Sequence, residues 1–521
     1  MHSIDQSALE RLAAGIAEHV RGPGGAIGVV KDGKTILSHV WGYADPKRHL
    51  AVTASTRFPI CSISKQFTCA ILQDLDHDLD RFDPLVQKYL PNMETKRPSI
   101  RELCNNQSGL RDYWALTVLH GADAEGIFRR EDAKPLFDRM RSTHFTPGSK
   151  YSYSNGNFRI LSDIIEEVSQ RSLGELYREK IFNRADMQTA ELLPNTAQSH
   201  GVAVGHEGND IVGFFVAQNR IYWSGDAGIC ASLDDMLAWE RFIDKTRDDE
   251  NSVYRRLSRM QTFSDGSGAP YGNGLAHNMI GEIQTTGHGG GLRGFRLHRL
   301  YAPSERLSVV VLFNHEGNAQ GTATKLMKAA LGIESGAQQN EEATERGWDG
   351  CYIDRETGLV LTLAAEQGGL KALYGGTTDL LSMQGPDIAG SSSMSVTRRG
   401  DEIGYERWRE NLRGTVTRVT GTAKPDIAGR YRCRELEATF EILGSDGAFY
   451  GSFEGFLGEG EMMPLYPVAD DLWTLPCRRS MDAPAPGEWT IQVSRHDDGC
   501  VKGLTIGCWL ARNLTYDRAG A

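Results

Sequence analysis

The chain has 521 residues, more than one hydrophobic core usually serves, so two or three domains are expected. Hydrophobic residues make up 40% and charged residues 24%, a globular composition that excludes a disordered or fibrous chain. The formal net charge of -11 argues against nucleic acid and anionic membrane surfaces as main partners. No stretch reaches about 18 uninterrupted apolar residues, so no membrane-spanning helix is predicted.

The N-terminal residues and the cysteines bear on location. The first twenty residues form an amphipathic helical pattern without a basic segment followed by an apolar run, so no signal peptide is predicted. The nine cysteines are scattered, with no CxxC pair and no histidine cluster at metal-ligand spacing. An odd number of cysteines without an export signal favours reduced thiols. We therefore expect a cytoplasmic protein without a metal site.

The first 334 residues combine helix and strand patterns. Two strands around an Asp-Gly turn come first, a long helical middle follows, and two more strands precede a closing helix. The predicted segments are strands 25–30 and 35–41, helices 66–75 and 161–169, strands 296–301 and 307–314, and helix 327–331. This order favours an α+β layer architecture over repeated βαβ units.

The composition changes after residue 333. Residues 334–346 are polar and poor in large apolar side chains, which predicts a linker. Beyond them, short alternating runs separated by Gly, Asp and Ser predict an all-β region. A Gly-x-Tyr pattern at Gly350 recurs 79 residues later at Gly429, which predicts two related barrels. We divide the chain into a first domain (1–333), the linker, a first barrel (347–420) and a second barrel (421–521).

The first candidate motif is Ser62-Ile63-Ser64-Lys65, the only SxxK in the chain. In a helix that starts at Ser62, residues three apart share a face, which brings the Lys65 amine to the Ser62 hydroxyl. A serine hydroxyl needs a base to become a nucleophile. A lysine amine serves if its pKa falls from about 10.4 towards 7, roughly 4–5 kcal/mol of environmental bias. A capped helix with a surface lysine is the alternative interpretation.

The second motif is Tyr153-Ser154-Asn155, which follows a Pro-Gly turn and is predicted to lie in a loop at a cleft edge. A phenol next to Ser62 can relay a proton as general acid or base. The Asn155 amide offers a donor and an acceptor to a substrate amide. A structural turn with a packed tyrosine explains the same pattern without a function.

The third motif is His288-Gly289-Gly290-Gly291, which precedes the predicted strand at 296. Glycines let a substrate backbone approach closely, and a free N–H there can serve an oxyanion hole. Lipases use a similar HGGG loop, but their fold needs a G-x-S-x-G sequence, and the chain contains none. A glycine turn with a solvent-exposed histidine is the non-functional alternative.

The order and separation of these motifs resemble those of the penicillin-recognising serine hydrolases. This family includes class C β-lactamases, D-Ala-D-Ala carboxypeptidases, related esterases and D-aminopeptidases. The resemblance covers residues 10–332 and extends to Phe58-Pro59-Ile60-Cys61, Ser108-Gly109-Leu110 and Tyr271-Gly272-Asn273-Gly274. It implies a β-lactamase-like α+β domain, with an antiparallel sheet and an all-α subdomain, ahead of the two antiparallel barrels.

The resemblance also implies roles for the motif residues. Ser62 is expected to be the acylated nucleophile, with Lys65 and Tyr153 sharing the proton transfers. Asn155 is expected to hold the substrate amide, and the N–H groups of Ser62 and Gly291 to form the oxyanion hole. The sequence leaves open which of Lys65 and Tyr153 is the base. No cofactor is expected for such a hydrolysis.

One departure from the common family pattern narrows the activity. His288-Gly289-Gly290 stands where β-lactamases and carboxypeptidases usually carry Lys-Thr-Gly, whose lysine pairs with a substrate carboxylate. Histidine is mostly neutral at pH 7 and cannot replace that lysine as a partner for a carboxylate. The β-lactamase and carboxypeptidase activities are therefore less favoured. Esterases and D-aminopeptidases remain, and the D-aminopeptidases of this family carry two barrels after the catalytic domain.

An aminopeptidase must also recognise a substrate ammonium, and our candidate is Asp482 in the predicted loop 478–487, which contains two prolines. The functional hypothesis is that this loop inserts into the catalytic cleft. The alternative is an ordinary surface loop without a role in substrate binding. The family resemblance thus implies a D-stereospecific aminopeptidase that releases a small N-terminal D-residue such as D-alanine from peptides, amides and esters. The alternatives are a β-lactamase-fold esterase and a penicillin- or peptidoglycan-fragment-binding protein that is acylated without turnover. The expected partners are small peptides or amino-acid amides, with β-lactams as candidate inhibitors and a homodimer left open.

Overall fold

The computed structural model describes residues 4–198, 201–333, 346–400, 402–477, 480–483 and 487–520. The predicted linker 334–346 lies outside the described residues, except for Arg346, which begins a 3-10 turn at Arg346–Trp348. Among the described residues, no helix has the length and apolar character needed to cross a membrane.

An eight-stranded antiparallel sheet organises the first domain. The strands of this domain are β1 (Gly24–Lys31), β2 (Lys34–Asp45), β3 (Leu50–Ala51), β4 (Arg57–Pro59), β5 (Glu191–Leu192), β6 (His206–Asn209), β7 (Gly213–Val216), β8 (Ile229–Ser232), β9 (Gln261–Thr262), β10 (Gly268–Ala269), β11 (Tyr271–Gly272), β12 (Leu275–Ile280), β13 (Ile283–Leu292), β14 (Phe295–Ala302) and β15 (Leu307–Phe313). The large sheet has the order β11-β12-β13-β14-β15-β1-β2-β3, so strands from both ends of the domain meet in its middle. The β1–β15 register places Ile27 opposite Val311.

Helices cover both faces of this sheet and build a separate helical layer. They are α1 (Gln6–Ala14), α2 (Ile16–His19), α3 (Ser64–Leu75), α4 (Asp83–Tyr89), α5 (Ile100–Cys104), α6 (Tyr113–Leu119), α7 (Ala133–Asp138), α8 (Asn155–Ser169), α9 (Leu173–Tyr177), α10 (Asn183–Ala185), α11 (Leu233–Lys245), α12 (Val253–Leu257) and α13 (Ala319–Leu331). Short 3-10 turns lie at Cys61–Ile63, Leu79–Phe82, Arg130–Asp132, Thr196–Gln198 and Pro303–Glu305, and a π-helical turn at Arg178–Phe182. Six of the seven predicted segments are longer in the structure than the pattern indicated, and the strand predicted at 307–314 ends one residue earlier.

The middle strands are apolar along their whole length because both faces of the sheet are covered. Val309 and Val311 of β15 pack into the core that contains α1 and α13. Val310 and Leu312 of the same strand belong to the core on the helical side. All seven residues of β15 are therefore buried, and the strand lacks the polar alternation of a half-exposed one.

Two antiparallel barrels follow. The first is a closed barrel of β16 (Gly350–Asp354), β17 (Val360–Glu366), β18 (Gly369–Tyr374), β19 (Thr377–Gly385), β20 (Ile388–Gly390), β21 (Met394–Arg399), β22 (Glu402–Arg407) and β23 (Leu412–Arg418). The second contains β24 (Gly429–Cys433), β25 (Ala438–Ser445), β26 (Ala448–Gly455), β27 (Gly458–Glu459), β28 (Met463–Ala469), β29 (Leu472–Leu475), β30 (Trp489–Arg495), β31 (Val501–Cys508) and β32 (Ala511–Arg518). Its ring closes through the pairing of β25 with β26, and β27 adds to the edge.

The two barrels are closed by the same local arrangement. In the first barrel, Tyr352 on the opening strand pairs with Arg418 on the last strand, whose guanidinium lies 5.9 Å from the tyrosine ring centroid. In the second barrel, Tyr431 pairs with Arg518 at the same 5.9 Å. Each tyrosine hydroxyl donates to the carbonyl oxygen four residues earlier. The Gly-x-Tyr repeat in the sequence thus marks the closing point of each barrel.

The two barrels differ in how they pack. The first barrel has an apolar core of its own, around Trp348, Leu361 and Val396. Core residues of the second barrel, such as Phe440 and Trp489, form one continuous apolar cluster with the helices of the first domain. The second barrel is therefore joined to the helical layer by a shared hydrophobic core.

Candidate active site

Ser62 lies in a tight turn between β4 and α3. The turn Cys61–Ile63 is a 3-10 turn, and Cys61 has a left-handed backbone with φ of +51°. This corrects the expectation that an α-helix begins at Ser62, since α3 begins at Ser64. Residues three apart are eclipsed in a 3-10 turn, so Lys65 still lies over Ser62. The Lys65 Nζ atom is 2.9 Å from Ser62 Oγ.

Lys65 is buried and surrounded by acceptors. Its Nζ atom donates to Ser62 Oγ at 2.9 Å, to Asn155 Oδ1 at 2.8 Å and to the carbonyl oxygen of Asp226 at 2.8 Å. Burial lowers the pKa of Lys65 to about 8, against the opposing effect of the Asp226 and Asp112 carboxylates. About a tenth of the Lys65 side chains are therefore neutral at pH 7. That fraction can accept a proton from Ser62.

Tyr153 lies on the other side of the nucleophile. Its hydroxyl donates to Ser62 Oγ at 2.8 Å. Burial raises the pKa of Tyr153 well above its ordinary value, so the phenol is protonated at neutral pH. The residue lies in a short non-helical segment just before α8, and its position at a cleft edge stays a prediction. The site therefore brings a proton donor and a partly neutral amine to one serine oxygen.

Asn155 is the first residue of α8 and is held by a carboxylate that the sequence analysis did not single out. Its backbone N–H donates to Asp112 Oδ1 at 2.8 Å, and its Nδ2 donates to Asp112 Oδ2 at 3.2 Å. The carboxylate only accepts, so the amide oxygen of Asn155 is the atom left to face Lys65. Burial and the nearby charge of Asp482 raise the pKa of Asp112 to about 7.

His288 and the three glycines after it lie within β13, whereas the sequence analysis placed the motif ahead of the strand at 296 and gave a glycine turn as the non-functional alternative. The His288 Nδ1–H donates to the Gly289 carbonyl oxygen, so Nε2 is the acceptor for the Tyr271 hydroxyl at 3.0 Å. The ring is 9% exposed. Burial and the charge of Lys65 lower the pKa of His288 to about 3. The imidazole is neutral and offers no point charge to a substrate carboxylate.

The glycines after His288 fit β13 against the nucleophile turn. A Cβ atom on Gly290 would lie 2.6 Å from the carbonyl oxygen of Ile60, closer than real Cβ contacts allow. At Gly291 the nearest atom to such a Cβ is Arg296 Nη1, at 3.9 Å. Glycine is thus sterically required at 290 and tolerates replacement at 291. The oxyanion role of the Gly291 N–H stays a prediction.

Asp482 reaches this site from the second barrel. Its carboxylate accepts from Ser480 Oγ at 2.7 Å, and its carbonyl oxygen accepts from the Arg293 N–H at 2.9 Å, next to the end of β13. The residue is 9% exposed, and burial raises its pKa to about 6. Its charge acts on the pKa values of both Lys65 and Asp112. Of the predicted loop, residues 478–479 and 484–486 lie outside the described residues.

The structure therefore brings Ser62, Lys65, Tyr153, Asn155 and His288 together, with Asp482 beside them. This arrangement is suited to acyl transfer through a serine ester. In the described part of the chain, no group of three or more His, Cys, Asp or Glu side chains is arranged to hold a metal ion.

Comparisons with known proteins identify the family of this chain. Residues 9–332 match the family model described as Beta-lactamase, and residues 341–517 match D-aminopeptidase, domain B. The D-aminopeptidase of Brucella anthropi is 53% identical over 519 residues, covering 99% of both chains. The chain belongs to the D-aminopeptidase family. The D-aminopeptidase of Brucella canis, a further member, is 51% identical over 99% of this chain and 100% of its own.

Solved structures share the fold of this D-aminopeptidase family member at low sequence identity. The octameric penicillin-binding protein homologue from Pyrococcus abyssi aligns with a TM-score of 0.52 and 17% identity, over 80% of this chain and 100% of its own. A D-stereospecific amidohydrolase from Streptomyces sp. aligns with a TM-score of 0.50 and 19% identity, over 63% and 98%. The predicted penicillin-recognising family and the β-lactamase-like α+β fold followed by two β-barrels are confirmed.

Sequence reasoning missed three residues of the site in this family member. Asp112 lies two positions after the Ser108-Gly109-Leu110 segment, and Tyr271 opens another quoted segment, so both were adjacent to recognised motifs. Asp226 acts on Lys65 through both its backbone carbonyl and its carboxylate, and no motif in the sequence marks its position. Its flanking glycines, Gly225 and Gly228, both have positive φ and were the available sign of a constrained turn.

Proposed function

We propose that the protein is a D-aminopeptidase that releases a small N-terminal D-residue, such as D-alanine, through an acyl-Ser62 intermediate. The observation that carries this proposal is the buried Asp482 carboxylate, delivered by the second barrel to the site of Ser62 and Lys65. A carboxylate in a restricted, poorly hydrated position favours a cationic partner, and a free N-terminus supplies one. The preference for D-residues follows from membership of the family.

Acylation begins with proton transfer from Ser62. The Ser62 Oγ atom attacks the carbonyl carbon of the N-terminal residue while its proton passes to the neutral Lys65 amine. The carbonyl π electrons move to oxygen, and the N–H groups of Ser62 and Gly291 are our proposed donors to that oxyanion. The oxyanion then re-forms the carbonyl and breaks the C–N bond. The leaving amine takes a proton from Tyr153, and Lys65 returns the Ser62 proton to the phenolate.

Lys65 is the better candidate for the base. The pKa of Lys65 falls to about 8, whereas the pKa of Tyr153 rises well above its ordinary value. A general base must be deprotonated at the working pH. The Lys65 amine is deprotonated in a far larger fraction of molecules than the Tyr153 phenol. Tyr153 is then the acid for the leaving group, a role that its hydrogen bond to Ser62 supports.

Deacylation repeats the same steps with water. Water attacks the acyl carbon, gives its proton to the Lys65 amine, and the breaking ester bond leaves its electrons on Ser62 Oγ. That oxygen recovers a proton from the Lys65 ammonium, and the free D-amino acid departs. The Asp482 carboxylate holds the substrate ammonium through both steps, so the same contact orients the amide and the acyl-enzyme.

Neutral His288 supports substrates without a carboxylate near the scissile bond. Its pKa of about 3 keeps the ring uncharged at all working pH values. Penicillins carry such a carboxylate, so we propose that they acylate Ser62 slowly and act as inhibitors rather than substrates.

Location and assembly are further proposals. All nine cysteines lie among the described residues and none forms a disulfide there, and Cys500 is exposed. An exposed free thiol suits a reducing compartment, which supports the cytoplasm. A homodimer stays our proposal for the assembly; the Pyrococcus abyssi homologue is described as octameric.

The test is a set of hydrolysis assays on D-alanine p-nitroanilide, its N-succinyl form and both L-enantiomers, with Ser62→Ala as the inactive control. We expect turnover of the free-amine D-substrate alone, and a covalent D-alanyl adduct on Ser62 in rapid-quench mass spectra. Faster turnover of the blocked substrate, or of simple esters without stereopreference, would instead establish an esterase. A lasting adduct without turnover would establish a binding protein.

A further inference from the structure

The second barrel contacts the catalytic site at a second place, away from the Asp482 loop. The carbonyl oxygen of Leu510 accepts from the Asp112 N–H at 2.9 Å, and that of Arg512 accepts from Arg111 Nε at 3.2 Å. The Arg111 Nη1 atom also pairs with the Glu435 carboxylate at 2.9 Å. Arg111 is 3% exposed, so these partners replace the water that would otherwise stabilise its charge. Two turns of the barrel thus hold one segment of the catalytic domain.

Glu435 is the central acceptor of this contact. Besides Arg111, its Oε1 atom accepts from the backbone N–H of Arg141 at 3.1 Å and of Ser142 at 3.3 Å. Arg111 in turn donates to the Ser142 carbonyl oxygen at 3.0 Å. The pair is therefore fixed from several directions and defines where residue 111 lies. Charge-assisted bonds of this kind are short and strongly directional.

The segment held in this way is part of a chain of contacts to the nucleophile. Asp112 receives two hydrogen bonds from Asn155, which turns the amide oxygen of Asn155 towards Lys65. Lys65 is the group that contacts Ser62. Movement of residue 112 would therefore reorient the Asn155 amide and change the surroundings of the Lys65 amine. Leu510 and Glu435 of the second barrel would thus affect the site without contacting the reacting atoms.

We propose that the Arg111–Glu435 ion pair is a positioning device for catalysis, acting through Asp112. Arg111 and Glu435 are positioning residues, because they act through Asn155 and Lys65 and do not contact substrate. The inference rests on the proposed function, in which Ser62 and Lys65 are the reacting groups. It gives the second barrel a role in the chemical step that is separate from substrate recognition by its loop.

The first experiment compares Glu435→Gln with a matched control in the full chain. Glu437 lies two residues further on and pairs with Arg139 of the catalytic domain at 2.9 Å, on a more exposed part of the same contact. For D-alanine p-nitroanilide we expect Glu435→Gln to lower kcat about 10-fold with KM within 2-fold, since misplacement of catalytic groups acts on the chemical step. Glu437→Gln is expected to keep kcat within 2-fold. Equal kcat in the two variants would overturn the proposal.

A second variant separates positioning from stability. Removing one charge leaves the other buried and unpaired, whereas replacing both by apolar residues is often neutral for stability. We therefore expect Arg111→Met with Glu435→Leu to regain the melting temperature lost in Glu435→Leu alone, while kcat stays at least 10-fold low. Recovery of kcat together with the melting temperature would overturn the proposal and leave a purely structural pair.

The pH dependence of kcat distinguishes positioning from loss of stability, because a merely less stable protein keeps the same midpoint. Loss of the Asn155 oxygen and of the nearby Asp112 charge makes the Lys65 ammonium less favourable, so the rising limb of kcat should shift to lower pH in Glu435→Gln. A lower plateau with an unshifted midpoint would contradict positioning. Absence of D-substrate turnover in the unchanged protein would instead refute the proposed function, so the two failures are distinguishable.

Discussion

Asp482→Asn tests how the site recognises the free N-terminus of its substrate. The substitution keeps the shape of the side chain and an oxygen that accepts the Ser480 hydrogen bond, but removes the charge. Asp482 is 9% exposed, so solvent and salt screen its field little. A hydrogen bond to a charged group contributes about 1.5–3 kcal/mol. The expected loss in kcat/KM for D-alanine p-nitroanilide is therefore about 10- to 100-fold.

The pH dependence gives the same prediction a sign. Burial raises the pKa of Asp482 to about 6, so the carboxylate is charged above that pH and protonated below it. An α-amino group titrates near 7.7–8.0 and is charged below that range. Binding of the free-amine substrate should strengthen as pH rises through about 6 and weaken above about 8. Asp482→Asn should flatten both limbs, because without the carboxylate the charge on the substrate amine no longer changes its attraction to this residue.

The assay compares kcat/KM for D-alanine p-nitroanilide with that for its N-acetyl form between pH 5 and 9. Asp497→Asn is the control, because Asp497 is exposed on the same barrel and the charge change is identical. The blocked substrate has no ammonium, so we expect its kcat/KM to change less than 3-fold in Asp482→Asn. An equal fall on both substrates would refute ammonium recognition and show a general disturbance of the site.

Three further predictions concern the catalytic domain. Tyr153→Phe should lower kcat by about 10²- to 10⁴-fold at nearly constant KM, since it removes a general acid, and a loss under 3-fold in single-turnover assays would contradict that role. Gly290→Ala should reduce kcat at least 100-fold by pushing on the Ile60 carbonyl oxygen, whereas Gly291→Ala keeps near-normal activity; similar values for the two would refute the steric argument. His288→Lys should raise the acylation rate with benzylpenicillin relative to D-alanine p-nitroanilide, measured by stopped flow, and a lower ratio would count against charge recognition at this position.

The local spacing of Ser62 and Lys65 was enough to predict their contact, because a three-residue separation aligns side chains in both an α-helix and a 3-10 turn. The left-handed backbone of Cys61 gives no sequence signal, and the start of α3 was therefore misplaced by two residues. The glycines after His288 carry no strand signal of their own, yet pairing with β14 holds them in a strand. Tertiary contacts decide such positions.

Long-range parts of the site were less predictable. The position of Asp482 depends on how the second barrel packs against the helical layer, and its choice as a candidate came from family resemblance and chemistry. The hydrogen bond between Asp112 and Leu510 joins two backbone groups that are about 400 positions apart in the sequence. Every residue except proline has both backbone groups, so the residue types at these positions do not reveal the bond. The sequence pattern identifies chemical groups, while the packing of separate domains determines their final geometry.

The closing arrangement shared by the two barrels has an evolutionary consequence. In each barrel the first and last strands are neighbours, fastened by Tyr352 with Arg418 or by Tyr431 with Arg518. The chain thus enters and leaves each barrel at adjacent points, and a unit of that kind can be copied in tandem without rerouting what precedes it. The shared arrangement is what duplication of a single module would produce. After such a duplication, the first barrel kept an apolar core of its own, while the second acquired the apolar surface that packs against the catalytic domain.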